Sequence, residues 1–271
     1  AILANILLFI GYSLSAGEIK IKIDKRYLNI PVSHKEDRHK MTFEVKGQPA
    51  LSVVIRLAPD EADYWVFKDV SNLKGKTLTI SYEGNEKGLS NIYQDDNIKG
   101  EDNLYKENNR PQFHFTTKRG WINDPNGLVF FKGQYHLFYQ YNPYHDNWDS
   151  MHWGHAVSRD LIHWEELEPA LVPDMPYDND KNGGCFSGSV VVHDDQLFLF
   201  YTGRTEDETG IFETQNLAVS KDGIHFVKAE ENPLIKEVPE KGGRDFRDPK
   251  VFFAQGKWRM ICGGSTGRIE H

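Results

Sequence analysis

From Glu18 to about Tyr82 apolar residues fall on alternate positions. Ile19, Ile21 and Ile23 alternate with charged residues, and Met41 to Val45, Leu51 to Leu57, Tyr64 to Phe67 and Leu78 to Tyr82 continue the pattern. A period of two puts one face of each segment in a core and the other in water, as half-buried strands require. Turn residues such as Lys46-Gly47 and Lys74-Gly75 separate the runs, so this region reads as a small β-sandwich without a catalytic constellation. The polar stretch from Glu83 to Arg110 has little to bury and is expected to be an extended linker, with a domain boundary near Arg110-Pro111. Ahead of the first strand, Ile2 to Leu14 is a largely apolar run, too short to span a bilayer, and it ends in the small-residue stretch Ser13-Leu14-Ser15-Ala16-Gly17. Residues 1–16 are therefore expected to be part of a signal peptide and the protein to be exported. No Met, Lys or Arg precedes the run, so the chain is expected to begin inside that peptide; the alternative is a buried first strand or helix.

Beyond Pro111 the sequence repeats. Ala156-Val157-Ser158-Arg159-Asp160-Leu161-Ile162-His163-Trp164 returns 62 residues later as Ala218-Val219-Ser220-Lys221-Asp222-Gly223-Ile224-His225-Phe226. Tyr135 to Tyr139 returns as Leu197 to Tyr201, and a third copy starts at Trp258-Arg259-Met260-Ile261. Each unit holds about four short strands, the size of a β-propeller blade, and such rings close with roughly four to eight units. The fold class is therefore all-β: an N-terminal sandwich over 17–110, then the first blades of a propeller over 111–271. With the third unit only begun, the propeller is expected to be incomplete in this chain.

The repeat makes some positions equivalent. Each unit's first strand begins at Asp124-Pro125, Ser187-Gly188 and Asp248-Pro249. First strands line the channel of a propeller, so these side chains should meet at one mouth of it, and two carboxylates brought together are what glycoside hydrolysis needs. A lone Asp-Pro is a capped turn; equivalent placement in two units argues against that reading. Asn123, Gln140 and Arg247 can hydrogen-bond to sugar hydroxyls, while Trp121, Trp148, Trp153 and Phe186 offer flat apolar walls. Most aromatics in such a chain are nonetheless core, and Trp153, Trp164 and Trp258 are placed there.

Other chemistries find less support. With 32 Lys and Arg against 40 Asp and Glu, the net charge is −8, which opposes phosphate binding, so nucleic acid is not an expected partner. The two cysteines, Cys185 and Cys262, lack zinc or redox spacing and read as separately buried thiols, with one disulfide as the alternative. His152 and His155 point to opposite faces of a strand, and no metal site is expected. Asp178 with Asp180, and Glu206 to Glu208, read as solvated loops.

Five segments carry a family resemblance. Trp121-Ile122-Asn123-Asp124-Pro125-Asn126-Gly127, Tyr139-Gln140-Tyr141-Asn142-Pro143, Met151-His152-Trp153-Gly154-His155, Phe186-Ser187-Gly188-Ser189 and Phe246-Arg247-Asp248-Pro249 resemble, in order, motifs of glycoside hydrolase family 32, the invertase, levanase and inulinase group. The resemblance implies a five-bladed propeller and retaining hydrolysis of β-fructofuranosides, with no cofactor. Asp124 would be the nucleophile, Asp248 the stabiliser of the transition state and Arg247 its holder; Asn123, Gln140, Trp148, Phe186, Ser187 and Trp121 would surround the terminal fructose. It also implies an acid/base Glu in a Glu-Cys pair, which this sequence lacks. Glu213 and Glu270 do not match, so the polypeptide by itself is expected not to hydrolyse efficiently. The expected substrate is fructan or sucrose, with polymeric fructan preferred because Met151 to His155 resembles levanases and exo-inulinases. No membrane span is expected in the mature protein. A non-catalytic sugar-binding protein and a five-bladed glycosidase acting on arabinose or xylose polymers remain as alternatives.

Overall fold

A computed structural model describes residues 17–180, 182–240, 243 and 245–265. The apolar run expected to direct export lies outside the described residues. Seven strands form the N-terminal domain: β1 (Gly17–Lys22), β2 (Tyr27–Val32), β3 (His39–Val45), β4 (Leu51–Ile55), β5 (Tyr64–Asp69), β6 (Thr77–Tyr82) and β7 (Tyr93–Asp95). They make two sheets, ordered β1-β6-β3-β4 and β5-β2-β7. Leu28 and Ile30 from one sheet and Met41, Phe43, Val53 and Ile80 from the other share one core, so the alternating pattern gives the sandwich it predicts.

The polar stretch after Tyr82 is not an extended linker. It supplies β7, which pairs with β2, and it buries Leu89, Ile92 and Ile98. The fully buried Asn29 fastens it: its Nδ2 donates to the Asn97 carbonyl at 3.1 Å and its Oδ1 accepts from Lys99 N at 2.7 Å. Backbone groups make these bonds, which composition does not reveal.

The repeat becomes two blades and a further hairpin. β8 (Trp121–Phe131), β9 (Gln134–Asn142), β10 (His152–Ser158) and β11 (Trp164–Leu171) form the first; β12 (Gly184–His193), β13 (Gln196–Asp207), β14 (Gly210–Ser220) and β15 (Val227–Lys228) form the second. β16 (Lys250–Ala254) pairs with β17 (Lys257–Ile261). Identical turns join the last two strands of each full blade. Asp160 accepts from the backbone N–H of Ile162 (2.9 Å) and His163 (2.8 Å), and 62 residues later Asp222 accepts from Ile224 and His225, both at 2.8 Å. Phe138, Trp153, Cys185, Leu199 and Tyr201 form the core between the blades. Trp153 is fully buried as expected, but Trp164 is only half-buried and Trp258 is 43% exposed. Trp164 stands on the last strand of its blade, and Trp258 on the second strand of the two-stranded β16-β17 hairpin. Asp178 also departs from its solvated reading: it is fully buried and 2.6 Å from Lys228 Nζ. Neither cysteine is bridged; Cys185 is buried and Cys262 only partly so.

A cavity of about 630 Å³ lies between the sandwich and β11, lined by Tyr27, Phe67, Tyr105, Lys118, Trp164 and Glu166 among others. Burial pushes the Glu166 carboxyl from 4.5 up to about 7, against a hydrogen bond from Lys118 N at 2.6 Å. A carboxyl that ionises later in the folded chain than in the unfolded one gives stability that is full below about pH 4.5 and is lost as pH rises through about 7. Glu166→Gln, neutral throughout, escapes this loss. Urea unfolding at pH 5 and pH 8 should show wild type losing about 2 kcal/mol more than the variant across that interval.

Candidate active site

The first strand of each full blade is irregular where its candidate residue stands. β8 slips register against β9 on both sides of Pro125, and β12 slips against β13 between Phe186 and Gly188. A bulge turns a side chain out of the ladder, and here Asp124 and Ser187 turn toward each other: Ser187 Oγ donates to Asp124 Oδ2 at 2.8 Å. Glycine is needed at 188, because a Cβ there would collide with the Phe200 carbonyl oxygen. Asp248 stands just ahead of β16 with φ +61°. Its N–H donates to Thr202 Oγ1 (3.1 Å), Thr202 donates to Gln215 Oε1 (2.8 Å), and Gln215 Nε2 donates to the Phe246 carbonyl (2.7 Å). Thr202 and Gln215 are fully buried, so the second blade fixes the segment carrying Arg247 and Asp248. The Ser189 hydroxyl joins the second and third units, donating to the Pro249 carbonyl at 2.7 Å and accepting from Val251 N at 3.0 Å.

These strand ends enclose a cavity of about 300 Å³. Asn123, Asp124, Gln140, Trp148, Phe186, Ser187, Arg247 and Asp248 all line it. Trp121 is not among the lining residues; its Nε1 donates to Asn123 Oδ1 at 2.8 Å and so orients a residue that is. Gln140 is almost wholly buried, and its Nε2 donates to the Cys185 carbonyl at 2.9 Å. Asn126 lies behind the pocket. Its donors orient the amide, so that Oδ1 accepts from Trp153 Nε1 (3.1 Å) and Nδ2 donates to Ser187 Oγ (3.2 Å). The Ser187 hydroxyl is thereby left to donate to Asp124.

Four carboxylates, Asp124, Glu213, Asp245 and Asp248, and two guanidiniums, Arg204 and Arg247, line the cavity. Arg247 Nη1 donates to Asp245 Oδ1 (2.7 Å) and Glu213 Oε1 (3.0 Å), and its Nε is 4.0 Å from Asp248 Oδ2. The Asp248 carboxyl is held above the ordinary carboxylate range by burial, with the charge of Asp124 adding to the rise and Arg247 opposing it. Two residues far apart in sequence therefore share one field. Trp148 and Phe186 meet edge to face, ring centres 5.4 Å apart, and form the apolar wall.

Residues 114–270 match the description "Glycosyl hydrolases family 32 N-terminal domain". The chain belongs to glycosyl hydrolase family 32. Among its relatives, a sucrose-6-phosphate hydrolase of Zymomonas mobilis is 47% identical over 165 residues, covering 59% of this chain and 31% of that protein. A levanase of Bacillus subtilis is 46% identical over 166 residues, covering 57% and 23%. A glycoside hydrolase family 32 structure from Bifidobacterium adolescentis superposes with a TM-score of 0.56 at 28% identity, over 91% of this chain and 45% of the other. The chain thus spans about a third or less of the length of these curated relatives. As in its family, the blades belong to a β-propeller.

In this family 32 chain, Arg204, Ile211 and Asp245, to which the sequence gives no weight, also line the cavity, as does Glu213, which the sequence offers only as a carboxylate outside the acid/base motif. Asp245, two residues before Arg247, lies outside any strand with φ +58°, so strand periodicity does not point to it. Met151 to His155 behaves differently. Met151, His152, Trp153 and His155 are buried, and His155 Nε2 lies 3.0 Å from His136 Nδ1. Burial drives the pKa of both His152 and His155 down to about 3, so these are neutral core imidazoles. Among the described residues no group of three or more His, Cys, Asp and Glu is placed to hold a metal ion, and no helix is long and apolar enough to cross a membrane.

Proposed function

We propose that the cavity binds a terminal β-fructofuranosyl group and that the protein is a retaining fructan or sucrose hydrolase. The observation that carries this reading is the convergence of Asp124 and Asp248, with Ser187 and Arg247, on one cavity of monosaccharide size. Asp124 attacks the anomeric carbon; the bond to the leaving oxygen breaks as the carboxylate–sugar bond forms, and the leaving oxygen takes a proton from a general acid. Water then attacks the same carbon, gives its proton to that group and releases Asp124. The serine hydrogen bond keeps the Asp124 lone pairs directed, and Asp248, held near Arg247, accepts from ring hydroxyls as positive charge develops.

The acid is proposed to be a Glu of the Glu-Cys type, which this sequence does not contain; Glu213 is committed to Arg247. Hydrolysis by these 271 residues alone is accordingly proposed to be inefficient. Polymeric fructan is the proposed preferred substrate, supported by the likeness of Met151 to His155 to levanases and by the Bacillus subtilis relative; because that segment is buried, the support is not a contact with sugar. Export is proposed from the apolar run of residues 2–14.

The test is to express the complete open reading frame and measure sugar released from levan, inulin, sucrose, arabinan and xylan. Fructose from one or more of the first three is expected. Release only from arabinan or xylan, or binding of fructosides without release, would overturn the hydrolase reading.

A further inference from the structure

Trp148 stands on a connection that the second blade does not have. Nine residues, 143–151, join β9 to β10, whereas only Glu208 and Thr209 join the corresponding β13 and β14. The longer connection runs to the N-terminal sandwich. The Tyr144 ring stacks on Phe43 at 5.8 Å and belongs to the sandwich core. Asp149, almost wholly buried, accepts from Asn142 Nδ2 (2.8 Å) and His145 Nε2 (2.9 Å) within its own blade, and from Arg38 Nη1 (3.1 Å) of the sandwich. Ser150 is held at φ +43°, a region L-residues seldom occupy. Its hydroxyl accepts from Val54 N at 3.0 Å, using an amide of the sheet's edge strand β4. Met151 then bridges to the second blade through Gly183 and Cys185, immediately before Phe186.

Trp148, 39% exposed, meets the Phe186 ring across the cavity. Its N–H donates to Asn147 Oδ1 (3.3 Å) and the Asn147 carbonyl accepts from Asn142 Nδ2 (2.9 Å), while the two residues that follow it are both gripped from the sandwich. We propose that the N-terminal β-domain is a positioning element for the sugar pocket, in which Arg38 and the Val54 amide, acting through Asp149 and Ser150, hold Trp148 at the apolar wall. The link to sugar binding rests on the fructosyl reading of the cavity. Arg38 acts through Asp149, to which it donates and which does not itself line the pocket.

The experiment separates the two ideas. The protein from the complete open reading frame is labelled with 5-fluorotryptophan, and the Trp148 resonance is assigned with Trp148→Phe. Arg38→Ala should shift or broaden that resonance while leaving the one from buried Trp153 in place, and Arg38→Lys should restore it in large part. With levan or sucrose, Arg38→Ala should raise KM about three- to tenfold with kcat within about twofold, and should add nothing on the Trp148→Phe background. An unmoved Trp148 resonance overturns the proposal whatever the activity. A moved resonance with unchanged KM overturns the link to the pocket. If the wild type acts on no fructoside while the resonance moves, it is the fructosidase reading that fails and the brace that stands.

Discussion

Asp124→Asn should lower fructose release by the complete enzyme by on the order of 10⁴-fold or more in kcat, with KM changed little. The substitution is nearly isosteric, and Ser187 Oγ, which donates to Asp124 Oδ2 at 2.8 Å, can still donate, though more weakly, to an amide oxygen. Asp124 is exposed to the cavity rather than packed in a core, so the thermal midpoint should hold within a few degrees. What disappears is the lone pair able to form an ester with the anomeric carbon, and a neutral amide also stabilises positive charge on the ring less well. Initial rates on sucrose or levan, with the unfolding midpoint of each protein as control, make the comparison. Residual activity within about a hundredfold of wild type would show that Asp124 is not the nucleophile.

Lys228→Met should cost about 3–5 kcal/mol of stability, the largest single loss expected from a residue outside the pocket. Lys228 Nζ lies 2.6 Å from Asp178 and 2.8 Å from Asp174, with its side chain 11% exposed and that of Asp178 fully enclosed. Asp178 is also reached by Tyr201 OH at 3.1 Å and Met175 N at 2.9 Å. Burial pushes its carboxyl above the ordinary range even with the ammonium beside it. Without Lys228 the carboxyl must stay charged with too few partners or take up a proton, and either outcome destabilises the fold. Urea unfolding near pH 7 measures the loss. Adding Asp178→Asn should recover part of it, since the pair and not either member alone is what the fold accommodates. A Lys228→Met protein within about 1 kcal/mol of wild type would mean that water reaches this site.

The hydrophobic pattern and the repeat together contain most of this architecture. A spacing of 62 residues aligns whole blades, and once Asp160 and Asp222 are matched the first strands follow, which is why Asp124, Ser187 and Asp248 could be grouped before any fold was seen. A repeat does not say where a hairpin ends. β13 runs on to Asp207, three residues past the position equivalent to the end of β9, and the lengthened hairpin carries Ile211 and Glu213 to the cavity. Nor does composition distinguish a solvated carboxylate from a buried one: Asp178 looks like a loop residue until Lys228, 50 positions later, is placed against it. The polar stretch before Arg110 was misread for a similar reason, because Asn29 grips its backbone through a single amide.

The hydroxyl of Ser189 couples neighbouring inner strands where a continuous sheet would use its own ladder, and it sits two residues from Ser187 and within the same stitch as Asp248. No isolated sheet of this molecule lines the whole cavity: the first blade brings Asn123, Asp124 and Gln140, the second Phe186 and Ser187, and Asp248 comes just ahead of the third unit. On the fructosyl reading proposed above, a nascent chain has no complete pocket to offer a sugar until successive units have docked, and a breach of a few ångströms between them would weaken recognition while every sheet stayed intact.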